Sequence, residues 1–140
     1  MDVEQVTGAV EEGDVFLILV DYDNFRQVAN RVTESLLSQG REGIFFTTDR
    51  SFRDVRDELE FDESKTERLN FIDVVSKTRG LKSSDERVEL VDSPTAFNDI
   101  NLAFTGFFDS MEEDNFVVMD SFTSYLIYGS IKPIGNFVKK

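Results

Sequence analysis

The sequence contains no cysteine, no histidine and no tryptophan, and only two prolines. Without cysteine there is no disulfide framework and no thiolate metal site. Without histidine the commonest general base and the commonest metal ligand are both gone. Cations are scarce as well: 15 Lys and Arg stand against 28 Asp and Glu, for a formal charge of -13 and a pI near 4.3. Phosphate backbones are held by clustered Lys and Arg, so nucleic acid is not an expected partner. No apolar stretch approaches membrane-spanning length and the start is not signal-like, so the expectation is a cytoplasmic protein with no membrane partner.

What is present is apolar and aromatic. A chain of 140 residues with 40% hydrophobic content and fourteen Phe suits one domain, residues 1–140, with a sizeable core. Acidic residues such as Glu11, Glu12, Asp57, Glu58, Glu112 and Glu113 fall where turns and solvent-facing helix positions are expected, which reads as an ordinary solvated surface. Over the whole chain the excess also suits solubility in concentrated salt, so a salt-rich cytosol is a second reading.

The chain is organised around residues 115–124, an apolar run through Phe116, Val117, Val118 and Met119 that ends in Asp120, Ser121, Thr123 and Ser124. Consecutive apolar positions fit a strand in the middle of a parallel sheet covered on both faces. In open α/β sheets ligands bind beyond the carboxyl ends of the strands, which puts Asp120 and Ser121 at the binding edge. Similar runs predict further strands at residues 15–20, 43–48, 70–75 and 88–91, with Asp73 interrupting the third of these.

Helical spacing fills the gaps between strands. Phe25, Val28, Ala29, Val32, Leu36 and Leu37 predict a helix with Asp23 as N-cap and Gly40 as C′ residue. Ser51 is expected to cap a helix carrying Phe52, Val55 and Leu59. Residues 61–68 read as a charged turn, and residues 77–87 as an exposed loop. Ser93-Pro94 predicts a helix start, followed by a core stripe of Phe97, Ile100, Phe104, Phe107, Phe108 and Met111. A last helical region is expected from Tyr125, broken near Pro133. Alternating strands and helices predict a three-layer α/β/α domain with a mostly parallel, five-stranded sheet.

Four stretches resemble the RecA-like ATPase superfamily, specifically the archaeal KaiC-like proteins. Phe116-Val117-Val118-Met119-Asp120-Ser121, running on to Tyr128, looks like the Walker B strand and the helix start after it. Gly43-Ile44-Phe45-Phe46-Thr47-Thr48-Asp49-Arg50-Ser51 is similar to the second strand, and residues 71–77 and 91–95 also look like segments of that group. The resemblance covers residues 14–138 and implies a RecA-like, P-loop NTPase-like core. In place of the phosphate loop, however, the chain has Asp21-Tyr22-Asp23-Asn24-Phe25-Arg26, and GxxxxGK[ST] occurs nowhere. Two aspartates would repel phosphate where glycine N–H groups and a lysine should hold it.

The resemblance implies that Asp120 orients Mg²⁺ through water and that Asp49 activates the attacking water, while Arg50 stands where a second acid belongs. The plain structural reading of Asp120 is a strand-end carboxylate capping the following turn, helped by Ser121. Asp21, Asp23, Asp49 and Asp120, converging at one edge, also suit a hard cation such as Mg²⁺ or Ca²⁺. The expectation is therefore a non-catalytic regulatory, sensory or protein-interaction module that binds a protein partner or itself and needs no cofactor. A nucleotide, small-anion or Mg²⁺ binder with an altered site is the alternative, and a hydrolase using the acidic edge is the third. RecA-like cores also place a strand between the Walker A and Walker B strands that is not legible here, which predicts direct pairing of residues 17–20 with residues 116–119.

Overall fold

The computed structural model describes residues 5, 8, 23–59, 62–111 and 114–120. Helix α1 (Phe25–Ser38) leads into strand β1 (Glu42–Thr47), then α2 (Phe52–Glu58), a single turn α3 (Glu63–Thr66) and β2 (Leu69–Asp73). A 3-10 turn at Lys77–Arg79 precedes β3 (Val88–Leu90), followed by α4 (Phe97–Ser110) and β4 (Asn115–Met119). Among the described residues the four strands form one sheet in the order β3-β2-β1-β4, and each of their pairings is parallel. No helix among the described residues is long and apolar enough to cross a membrane.

Side chains alternate across the sheet and build two cores. Phe45, Phe71, Phe116 and Val118 pack with Leu36 and Leu37 of α1 and Phe52 and Val55 of α2. On the other face, Ile44, Phe46 and Ile72 pack with Ile100, Ala103 and Phe104 of α4. Phe46 stacks on Phe104 at 5.4 Å, and Phe104 on Phe108 at 6.0 Å, so the Phe stripe of α4 is core packing. Gly43 of β1 lies opposite Phe116 of β4, and a β-carbon at Gly43 would stand only 2.3 Å from the Phe116 ring.

Local signals explain several element ends. Ser51 accepts a hydrogen bond from the Asp54 N–H at 3.2 Å and caps α2. Gly40, with φ of 83°, supplies the left-handed residue after α1. The carbonyl of Leu37 at that same helix end accepts from the Arg68 guanidinium at 2.7 Å, so a cation distant in sequence meets the negative end of the helix.

The five-stranded RecA-like expectation is corrected: among the described residues the sheet has four parallel strands, and β1 hydrogen-bonds directly to both β2 and β4. Residues 15–20, and with them the expected pairing of residues 17–20 with β4, lie outside the described residues, as does the helical region after Tyr125. The run read as the middle of the sheet is also the less covered one. Val117 of β4 is 41% exposed, whereas Ile44, Phe45 and Phe46 of β1 are fully buried.

Smaller corrections have local causes. The first helix is capped by the backbone of Asn24 rather than by Asp23, which sits exposed in the preceding turn. The charged segment after residue 61 forms α3 because Asp62 accepts the Lys65 N–H and the Ser64 hydroxyl. Ser93-Pro94 opens a turn, not a helix. The Ala96 N–H donates to the Ser93 carbonyl at 3.2 Å, and α4 begins only at Phe97.

Candidate functional site

The chain runs outward from β1 to β2 to β3, then crosses through α4 to lay β4 on the opposite side of β1. The order of the sheet therefore reverses between β1 and β4, and the carboxyl ends of these two strands are where an open α/β sheet forms its crevice. Thr47, Thr48, Asp49 and Arg50 leave β1 at this place, and Asp120 leaves β4. Parallel pairing of Phe46 with Met119 sets Asp120 beside Thr47 and Thr48.

The side chain of Asp120 is fully buried. Oδ1 accepts from the Thr48 N–H and from the Thr48 hydroxyl, both at 3.3 Å, and Oδ2 lies 3.4 Å from Thr47 Oγ1. The single hydroxyl proton of Thr47 goes to the Arg50 carbonyl, by far the shorter contact. The Thr47–Asp120 contact is correspondingly the weaker of the two. Burial pushes the Asp120 carboxyl up from 3.8 to about 6, against the opposing pull of the Thr48 N–H, the Arg50 charge and the Thr48 hydroxyl.

Arg50 fills the crevice. Only 2% of the residue is exposed, and its guanidinium lies 5.7 Å over the Phe45 ring. Nη2 donates to Asn30 Oδ1 of α1 at 2.7 Å, and Nη1 pairs with Glu58 of α2. Asn30 Nδ2 closes the ring by donating to Glu58 Oε2 at 3.0 Å. The Arg50 Nε is buried without a hydrogen-bond acceptor and stands 3.7 Å from Asp120 Oδ2, close enough for attraction and too far for a hydrogen bond. One guanidinium thus links α1, the end of β1, α2 and the end of β4.

A second buried carboxylate closes the end of β2. Asp73 is fully buried and accepts the N–H groups of Phe52 at 2.8 Å, Val75 at 2.7 Å and Ser76 at 2.8 Å, together with the Ser76 hydroxyl. Capturing the Val75 and Ser76 N–H groups turns the chain out of the sheet, which is why β2 stops short of the expected residue 75. The Phe52 N–H is the first of α2, so the same carboxylate meets the positive end of that helix.

Of the expected site residues, the described ones, Asp23, Asp49 and Asp120, do not gather into one acid cluster. Asp49 pairs with Arg26 at 2.9 Å, with both side chains partly exposed, and Asp23 is exposed. Asp120 faces Thr48 and Arg50, and the turn it is expected to cap lies outside the described residues. Asp21 and Ser121 lie outside the described residues. No group of three or more acidic side chains among the described residues is arranged to hold a metal ion. Two residues that matter most at this edge, Arg50 as its central cation and Asp73 as its second buried acid, were not among the expected site residues. The one available signal for Asp73 is an acid inside an apolar strand with serine three residues on. No family model matches this chain, and no curated protein or solved structure matches it either.

Proposed function

We propose that this domain is a non-catalytic regulatory or protein-interaction module of the cytoplasm, with a crevice closed from within. The observation that carries this reading is the buried Arg50 guanidinium at the β1–β4 switch point, bonded to Asn30 and Glu58 and beside Asp120. A ligand entering here would have to displace a cation held by three elements, and breaking such a buried pair costs about 3–5 kcal/mol. The absence of a Gly-rich phosphate loop from the sequence supports the same reading. The net charge of -13 supports protein partners over nucleic acid. Equilibrium binding of ATP and ADP with and without Mg²⁺, followed by a phosphate-release assay, tests it: the reading expects neither saturable binding nor release.

A second reading, acid–base chemistry at Asp120, is favoured by one observation, the carboxyl pushed up to about 6 beside the Thr48 hydroxyl. It ranks second because that side chain has no exposed surface from which to reach a substrate. The same phosphate-release assay, repeated with Asp120→Asn, separates it from the first.

A further inference from the structure

We propose that the groove between β3 and α4 docks an amphipathic segment of a partner protein that carries lysine or arginine beside apolar side chains. This rests on the interaction-module reading and names the surface and the partner chemistry. The groove has a volume of about 560 Å³, room for several side chains, with Leu90, Leu102, Ala103 and Phe107 in its lining. Leu102 is 70% exposed, the largest exposure of any bulky apolar residue among those described. Scattered exposed leucines are ordinary, but this one stands over a groove whose apolar wall continues through Phe107.

The rim supplies the charge complementarity. Glu86, Glu89, Asp92 and Asp99 line the same groove, and an ammonium group is already held among them: Lys77 Nζ pairs with Asp92 at 2.8 Å. Asp92, Asp99 and Glu89 all favour the charged form of Lys77 and hold its pKa above the usual lysine value. The groove thus holds one cation of its own chain in the position a partner's lysine would take.

Gly106 is the independent observation. It lies inside α4 and in the groove wall, yet a β-carbon there would meet nothing within 4 Å. Packing within the fold does not require glycine at this place, and a glycine inside a helix is destabilising. A gap in the helix surface between Leu102 and Phe107 gives a docked side chain its place.

The test is fluorescence anisotropy with a labelled synthetic peptide of alternating lysine and leucine, against a glutamate–leucine counterpart. Leu102→Asp adds negative charge, so non-specific attraction of a cation would rise, whereas docking falls about tenfold or more. Gly106→Gln is expected to block docking to a similar degree while leaving the melting temperature equal or higher. Lys77→Ala removes the internal competitor and is expected to tighten binding. Retained binding in both Leu102→Asp and Gly106→Gln, equal binding of the two peptides, or no saturable binding overturns the groove. Those outcomes leave the module reading to other surfaces, while phosphate release from ATP would overturn that reading whatever the groove does.

Discussion

The Nε of Arg50 stands 3.7 Å from Oδ2 of Asp120, a buried cation beside a buried carboxyl at the point where the strand order reverses. The two do not hydrogen-bond, so their coupling is charge attraction in a place of low solvent access. Removing Arg50 leaves Asn30 Oδ1 without its donor, and Asp120 without its counter-charge. Arg50→Met is therefore expected to lower stability by about 3–5 kcal/mol. Adding Asp120→Asn should restore part of that loss, with a coupling of about 1 kcal/mol or more in a double-mutant cycle read by urea unfolding. Strict additivity would show that the pair does not interact.

The pH dependence follows from Asp120. Its folded pKa of about 6 lies above its ordinary 3.8, so the folded state binds the proton more tightly than the unfolded state. The stability it contributes is fully present below about pH 4 and is lost as pH rises through 6, a total of about 3 kcal/mol. Asp120→Asn lacks this titration. From pH 8 to pH 5 the wild type should gain about 1.4 kcal/mol relative to Asp120→Asn, measured as the change in the gap between their melting curves. A gap that is constant with pH, or that moves the other way, would show that burial does not govern this carboxyl.

Asp73 serves the fold. Its carboxylate accepts three backbone N–H groups and a hydroxyl, all within the chain. Asp73→Ala strands those donors, and a loss of about 3 kcal/mol or more is expected. Asp73→Asn keeps the shape but turns one end into a donor facing donors, so it should cost nearly as much. Denaturant unfolding of both variants decides this, and near-wild-type stability for Asp73→Ala would refute the role.

Gly43 and Phe116 make a close pair across β1 and β4. Gly43→Ala drives a methyl group against the Phe116 ring and should cost about 1–3 kcal/mol by overpacking. Phe116→Leu in the same chain is expected to recover part of it. A Gly43→Ala variant as stable as the wild type would mean that the strands are not held in this register.

How much of this was legible depends on distance along the chain. The β1 and β2 runs are apolar on consecutive residues and bounded by polar ones, and Ser51 and Gly40 act within a turn of where they stand. Ser93-Pro94 misleads because the same dipeptide suits both a helix start and the first half of a turn, and the hydrogen bond from Ala96 selects the turn. The fully covered strands are β1 and β2 and not the run ending at Asp120, because packing on both faces depends on which helices cross over, which no single run records. The sequence shows Arg50 only as the residue that stands where the resemblance expects a second acid. Its burial comes from Asn30, Glu58 and Asp120, which only the assembled sheet brings together.

The central claim is that the crevice at the β1–β4 switch point is filled by the chain's own Arg50 and is not a nucleotide site. Calorimetric titration of the full chain with ATP and Mg²⁺ to millimolar concentration, paired with phosphate release, tests it most directly. The account predicts no saturable heat and no phosphate above that of a heat-denatured control. Saturable binding or phosphate release that Asp120→Asn abolishes would contradict it.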